Sequence, residues 1–141
     1  MKYVLDSSLA LKWFLAEPDS DKADRLREGW RQTAHELLAP DVFPVEVVHA
    51  ITRAERQGRI TPAEGSAFLA ETLAELPAPH APVLLLPRAY AISSAMRIGV
   101  CDCLYVALAE REGCELVTAD AKLVTNLKAQ FPFIVPLGSL P

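Results

Sequence analysis

The stretch KYVLDSSLALKWFLAE, residues 2–17, joins a short apolar run to a longer one through a single aspartate, Asp6. Its first four residues suit a short strand, whereas residues 8–17 are apolar on nearly every side and stop before Pro18, as expected for a buried helix. A strand followed directly by a buried helix is typical of an α/β fold. The stretch therefore predicts such a fold, with an acid at the carboxyl end of the first strand.

The same alternation of short apolar runs and amphipathic segments continues along the chain. Further strands are predicted at residues 37–39, 83–86, 115–118 and 133–135. Helices are predicted from Asp19 or Ser20, from Asp41 to Gly58, from Thr61 to Pro77, from about Arg88 to Ile98, from Asp102 to Gly113 and through Ala129. Thr61 and Glu64 predict a capping box at the start of the helix from Thr61, and the stretch PAPHAP at 77–82 predicts a linker within the domain. Strands and helices in alternation predict one α/β domain, residues 1–141, with a mostly parallel sheet and helices on both faces.

Composition and charge limit the functions that this chain can have. A hydrophobic fraction of 51% with 23% charged residues is that of a globular domain. The net charge of −4 argues against a protein that coats nucleic acid, since such binding depends on Lys and Arg at the phosphates. A nuclease is not excluded, because a site for divalent cations must be acidic and the bound ion reverses the local sign.

The sequence predicts neither a signal peptide nor a membrane span. The opening MKYVLDSS is too poor in apolar residues for a signal-peptide core, and no apolar run approaches the roughly 18 residues of a span. The three cysteines, Cys101, Cys103 and Cys114, lack the spacing of a disulfide framework and are expected to be reduced thiols. These features predict a cytoplasmic protein with no membrane partner.

Four acids are predicted to meet at one edge of the sheet. Asp6 and Asp120 follow predicted strands, and Glu46 and Asp102 lie at the starts of predicted helices. In an open parallel sheet, functional groups collect outside the carboxyl ends of the strands. The alternative is that Asp102 and Asp120 only cap helices and that Glu46 is a surface residue. Asp6 fits that alternative least, because it interrupts an apolar run in which an unpaired charge is costly to desolvate.

Four short motifs together carry a family resemblance. They are VLDSS at 4–8, PVEVVHA at 44–50, DCLYVALAE at 102–110 and LVTADAKL at 116–123. With these motifs in this order, the chain resembles the PIN-domain nucleases, in particular the VapC toxins of bacterial toxin–antitoxin pairs. The resemblance spans nearly the whole chain.

The resemblance implies a five-stranded parallel sheet of order 3-2-1-4-5. It also implies an endoribonuclease that depends on Mg²⁺ or Mn²⁺ and leaves 5′-phosphate and 3′-hydroxyl ends. Its partners would be an RNA substrate, a cognate antitoxin protein and a second copy of the chain. The homodimer is expected to form through the helical hairpin at 41–76, where Phe68, Leu69 and Leu73 are too close together for one face to bury.

The resemblance also assigns roles to single residues. The positions that match the family's catalytic acids are Asp6, Glu46, Asp102 and Asp120, of which Asp6, Asp102 and Asp120 would ligate the metal. Ser7 and Thr118 match small hydroxyl positions that support the carboxylates. Lys122 stands where some members have a further acid. The resemblance therefore implies one metal ion more strongly than it implies two.

Other polar residues are weaker candidates for function. Five basic side chains could hold RNA, although scattered basic residues also occur as plain solvated surface: Lys12, Arg53, Arg56, Arg59 and Arg97. The three histidines, His35, His49 and His80, have no metal-ligand spacing and are expected to be structural or exposed.

Three other interpretations are alternatives, of which the first two conflict with residues at named positions. A receiver-type signalling domain would need an acidic pair after strand one and a phosphate-accepting Asp after strand three, but two serines follow Asp6 and Pro87 follows the predicted third strand. A haloacid-dehalogenase-type phosphatase would need an Asp at Ser8. A catalytically inactive PIN-fold binding module, in which the acids only cap helices, is the other alternative.

Overall fold

Five short parallel strands form one sheet in the computed structural model, which describes residues 1–141. The strands are β1 (Lys2–Leu5), β2 (Glu36–Pro40), β3 (Ala78–His80), β4 (Glu115–Thr118) and β5 (Ile134–Pro136). Their order is β3-β2-β1-β4-β5, which confirms the expected 3-2-1-4-5 arrangement. Leu5 of β1 pairs with Val117 of β4, so the carboxyl ends of these two strands lie side by side.

Seven α-helices connect and cover the strands. They are α1 (Ala10–Phe14), α2 (Ser20–Arg31), α3 (Phe43–Arg56), α4 (Pro62–Ala74), α5 (Leu86–Met96), α6 (Val100–Glu112) and α7 (Ala121–Leu127). Single 3₁₀ turns lie at Ser7–Leu9, Pro82–Leu84 and Leu137–Ser139. Val4 and Leu5 are both fully buried although adjacent strand residues point to opposite faces, so both faces of the sheet are covered. None of the helices is long and apolar enough to span a lipid bilayer.

The predicted third strand at residues 83–86 is wrong. These residues form a 3₁₀ turn and the start of α5, and β3 instead lies at Ala78–His80, inside a proline-rich stretch that looked like a linker. β3 is an edge strand, with β2 as its one neighbour, so Pro79 does not interrupt hydrogen bonding between two partners. Leu85 is the one side chain of the VLLL run that reaches the core.

Several helix boundaries also differ from the sequence prediction. The first helix is a 3₁₀ turn followed by the short α1 rather than a continuous helix over 8–17. Helix α5 ends earlier than expected because Arg97, not Gly99, takes the left-handed conformation, with φ of 57°. Asp102 lies inside the first turn of α6 instead of before it. The predicted capping box of α4 is confirmed, since Thr61 and Glu64 each bond the other's backbone.

Helix α6 lies at the centre of the hydrophobic core. Its residues 103–109 are all buried, and it contacts β1, β2, β4 and α5. A helix buried on every side is held rigidly by its neighbours. Its first turn, which carries Asp102, is therefore fixed relative to the carboxyl ends of the central strands.

Candidate active site

The four acids expected to meet line a single cleft of about 380 Å³. Asp6 directly follows β1, Asp120 follows β4 by two residues, and Glu46 and Asp102 lie in the first turns of α3 and α6. The backbone N–H of Asp6 donates to the carbonyl of Val117 at 3.1 Å, which extends the β1–β4 pairing to the edge of the sheet. Four segments that are distant in sequence thus bring their carboxylates together.

Asp6 is the most buried of these acids, with 4% of its surface exposed. Its Oδ2 accepts hydrogen bonds from Ser8 Oγ at 2.6 Å and from Thr118 Oγ1 at 2.7 Å. Burial, with smaller contributions from the charges of Asp102 and Glu46, raises the pKa of Asp6 from 3.8 to about 6, although the two hydrogen bonds lower it. Asp6 Oδ1 accepts no hydrogen bond from the protein. Every solvent-inaccessible side-chain oxygen in the structure has a hydrogen-bond partner, so Oδ1 must be accessible and faces the cleft.

Glu46 accepts a hydrogen bond from Tyr105, a residue that was not singled out from the sequence. The hydroxyl of Tyr105, fully buried in α6, donates to Glu46 Oε1 at 2.6 Å, and Ser7 Oγ donates to the same oxygen at 3.4 Å. Burial and the bond to Glu46 both raise the pKa of Tyr105, so the hydroxyl remains a proton donor at neutral pH. The second oxygen of Glu46, Oε2, receives no hydrogen bond from the protein.

Asp102 and Asp120 differ in how many of their oxygens are free. No protein group donates to the half-buried carboxylate of Asp102, and burial, followed by the charges of Asp120 and Glu46, raises its pKa. Asp120 Oδ1 caps α7 by accepting from the backbone N–H groups of Lys122 and Leu123, at 2.9 and 3.4 Å. Asp120 is thus a helix cap that also lines the cleft, and its part in catalysis stays a prediction.

Small hydroxyl side chains connect the acids. Thr118 Oγ1 donates to Asp6 and accepts from the backbone N–H of Asp120 at 3.0 Å, which ties the ends of β1 and β4 together. Ser8 Oγ bonds Asp6 and accepts from the N–H of Ala119. Ser7, expected to support the carboxylates, donates to Glu46 and makes no hydrogen bond to Asp6. The second serine of the VLDSS motif is therefore the one that supports Asp6.

The donors in the cleft fit a hard divalent cation. All four acids offer oxygen, the ligand type of Mg²⁺ and Mn²⁺, and Asp6 Oδ1 and the Asp102 carboxylate have no protein partner. As the side chains stand, no three His, Cys, Asp or Glu residues converge closely enough to hold an ion among them. Mg²⁺ usually takes one or two carboxylates and keeps several waters, so two free carboxylates satisfy it. Ligation by Asp6, Asp102 and Asp120 together stays a prediction.

Arg53 is the one cation among the residues that line this cleft, and His49 lines it as well. Lys12 lines a neighbouring cavity of about 450 Å³, which shares Asp120 with the cleft. Arg59 forms an ion pair with Glu17. Arg56 and Arg97 line neither the cleft nor the cavities next to it.

Tyr105→Phe should lower activity without unfolding the protein. Phe fills the same volume, and the Glu46 oxygen that loses its donor lies at the cleft, where water can replace the hydroxyl. We expect stability within about 1 kcal/mol of wild type and a roughly ten- to hundredfold fall in cleavage rate, as when a group that orients a site residue is lost. The matched control is Tyr90→Phe, because the Tyr90 hydroxyl is exposed and unbonded. Equal rates in the two variants would show that Tyr105 does not position Glu46.

The sequence and the fold were compared with known proteins. The family model described as PIN domain matches residues 3–126. Ribonuclease VapC3 of Pyrobaculum aerophilum is 30% identical over 131 residues, which cover 92% of this chain and 97% of the relative. Ribonuclease VapC12 of Mycobacterium tuberculosis is 36% identical over 124 residues, which cover 87% of this chain and 90% of the relative.

One solved structure with a similar fold is the crystal structure of VapBC2 from Rickettsia felis bound to a DNA fragment from their promoter. The matched chain superposes with a TM-score of 0.64 at 15% identity, covering 96% of this chain and 97% of that one. At this identity the likeness concerns the fold alone. It agrees with the strand order and with the continuous match of the family model along the chain.

Proposed function

The chain belongs to the PIN-domain family, and we propose that it is a metal-dependent endoribonuclease, the toxin of a toxin–antitoxin pair. The observation that carries this proposal is the convergence of Asp6, Glu46, Asp102 and Asp120 on one cleft from four separate segments. The relatives named as ribonucleases match this chain over most of their own length, so the whole domain is shared. RNA is therefore the proposed substrate.

The carboxylate oxygens that accept no hydrogen bond from the protein suggest a role for each acid. Asp6 and Asp102 would hold Mg²⁺ or Mn²⁺, and Asp120, which lines the same cleft, would be a third ligand. When bound, the ion would stabilise the negative charge that develops on the phosphate during cleavage. Glu46, fixed at Oε1 by Tyr105 and free at Oε2, would accept a proton from the attacking water. The P–O3′ bond would break and the 3′ oxygen would take up a proton, which leaves 5′-phosphate and 3′-hydroxyl ends.

The direct test is cleavage of labelled RNA by the purified protein. We expect cleavage with Mn²⁺ or Mg²⁺, none with a chelator, and products that a 5′-phosphate-dependent exonuclease degrades. RNA binding without cleavage under any metal condition would favour the inactive PIN-fold binding module. The receiver-type alternative has lost its basis, because β3 ends at His80 and is followed by Ala81 and Pro82 rather than by an acid.

The proposed partners include an antitoxin and a second copy of the chain. Six of the nine exposed large hydrophobic residues lie between residues 73 and 90: Leu73, Leu76, Val83, Leu84, Leu86 and Tyr90. Phe68, expected at a dimer surface, instead stacks on Phe14 of the same chain at 4.6 Å. The apolar surface left for a second copy is therefore mostly beyond the 41–76 hairpin, on the segment that leads into α5.

Val83→Asp should convert a dimer into a monomer. Val83 is 71% exposed, so the substitution leaves the core intact but places a charge in the proposed apolar interface. Light scattering at high micromolar concentration, without antitoxin, should give twice the 15.4 kDa chain mass for wild type and the single mass for the variant. Asn126→Asp on the exposed side of α7 is the control. A monomeric wild type would contradict the homodimer.

A further inference from the structure

Arg53 stands out because it lies among acids without pairing with any of them. It lines the cleft that contains all four carboxylates, yet it forms no ion pair within 4 Å. Its one hydrogen bond runs from Nη2 to Nε2 of His49 at 2.9 Å. A guanidinium has five N–H donors and no acceptor, so His49 Nε2 must be the acceptor of this bond.

The bond to His49 orients Arg53 and leaves most of its donors available. Nε and Nη1 of Arg53 bond to no protein atom, and the side chain is exposed. A planar guanidinium with free donors matches the oxygens of a phosphate in a bidentate contact. Holding one edge on His49 reduces the side-chain entropy that such a contact would otherwise cost.

The position of Arg53 fits a nucleic-acid backbone that runs past the acids. Glu46, His49 and Arg53 lie along one side of α3, and the seven residues from Glu46 to Arg53 correspond to roughly 10 Å of helix. Arg53 and Ala50 are also shared with a second cavity of about 220 Å³, which continues the cleft toward Gln57. A strand with one phosphate at the acids would thus pass another phosphate close to Arg53.

We propose that Arg53, oriented by His49, binds an RNA phosphate next to the one that is cleaved. This rests on the proposed ribonuclease function and adds a substrate-binding residue to it. Arg53 acts on substrate affinity, whereas the carboxylates act on the chemical step. His49 is a positioning residue that acts through Arg53.

Binding is measured in the Asp6→Asn background, so that the RNA is not cut during the experiment. The probe is a fluorescein-labelled single-stranded RNA of mixed sequence, titrated by anisotropy with Mn²⁺ at several KCl concentrations. Arg53→Gln should weaken binding about tenfold and reduce the slope of log affinity against log salt by about 0.7, the value for one phosphate contact in a single strand. His49→Ala should weaken binding about threefold and leave the slope unchanged, because no charge is lost.

Arg56→Gln is the matched control, since it removes the same charge from the same helix, and Arg56 lines neither the acidic cleft nor the two cavities that share residues with it. It should change affinity by less than about twofold. Arg53→Lys keeps the positive charge but not the planar guanidinium that makes a bidentate contact, so it should restore the salt slope but not the full affinity. In the otherwise unchanged protein, Arg53→Gln should raise KM for cleavage far more than it lowers kcat.

The outcomes separate this inference from the function on which it rests. If the protein cleaves RNA but Arg53→Gln and Arg56→Gln bind equally well, the assignment of Arg53 is wrong and the ribonuclease proposal stands. If wild type does not cleave RNA and the Asp6→Asn protein does not bind it, the ribonuclease proposal is wrong, and so is the phosphate site that rests on it. A fall in kcat with unchanged KM would place Arg53 in the chemical step and overturn its role in binding.

Discussion

Asp6→Asn and Asp102→Asn should each lower RNA cleavage by about a thousandfold. Both side chains present carboxylate oxygens that no protein donor occupies, which makes them the best available ligands for a divalent cation. Asn has the same shape but offers only a neutral oxygen, so the ion is held weakly. Losing roughly 4 kcal/mol of charge stabilisation in the transition state corresponds to this change in rate. Initial rates with saturating Mn²⁺ measure the effect.

Asp41→Asn is the control for both substitutions. Asp41 follows the end of β2 at the same edge of the sheet, is exposed and lies outside the acidic cleft, so its loss should leave the rate unchanged. Circular dichroism of all three variants checks that each is folded. Wild-type rates in both Asp6→Asn and Asp102→Asn would remove these acids from the site, whatever the family of the chain.

The sequence was most informative where a local pattern determines the structure. Strand β4 was predicted at its observed bounds, and the capping box at Thr61 forms as expected. Strand β3 could not be found in this way. An edge strand of three residues needs little apolar surface, and the VLLL run beside it has the composition of a buried strand. The strand order followed from the family resemblance, since periodicity alone does not specify which strands are neighbours.

The candidate site was predictable as a set of acids but not as a network. All four acids reach the cleft, because the ends of parallel strands and the starts of the following helices share one edge. The bond from Tyr105 to Glu46 joins residues 59 positions apart, and that from Thr118 to Asp6 joins residues 112 positions apart. For Tyr105, the one available signal was a hydroxyl in the otherwise apolar run at 103–109, because a buried hydroxyl requires a partner.

The acidic cleft should make the metal-free protein less stable as the pH rises. Asp6 has a pKa of about 6 in the folded protein, against 3.8 ordinarily, so the folded state binds its proton more tightly than the unfolded state. Stability is therefore full below about pH 4 and falls as the pH rises through 6. The loss is on the order of 3 kcal/mol, at about 1.4 kcal/mol for each pH unit between the two pKa values. The raised pKa of Asp102 adds to the effect in the same direction.

Replacing Asp6 should therefore stabilise the protein in the absence of metal. In Asp6→Asn the buried charge is gone, and the amide oxygen can still accept from Ser8 and Thr118. At pH 8 with a chelator, the variant should melt roughly 6–10 °C above wild type, at about 3 °C per kcal/mol for a domain of this size. At pH 4 the two proteins should melt at similar temperatures, because Asp6 is then protonated in wild type.

Mn²⁺ should remove most of this difference in stability at pH 8. At about 100 times its dissociation constant, an ion that binds only the folded state adds roughly 2.7 kcal/mol to wild type. Asp6→Asn should gain much less, because one of its two free carboxylates is missing. The experiment is a set of four thermal melts, wild type and Asp6→Asn, each with chelator or with excess Mn²⁺, and with Asp41→Asn expected to follow wild type. If Mn²⁺ raises the melting temperatures of wild type and Asp6→Asn equally, and the variant is no more stable than wild type in chelator, the carboxylates do not share a cation and the metal-dependent mechanism loses its physical basis.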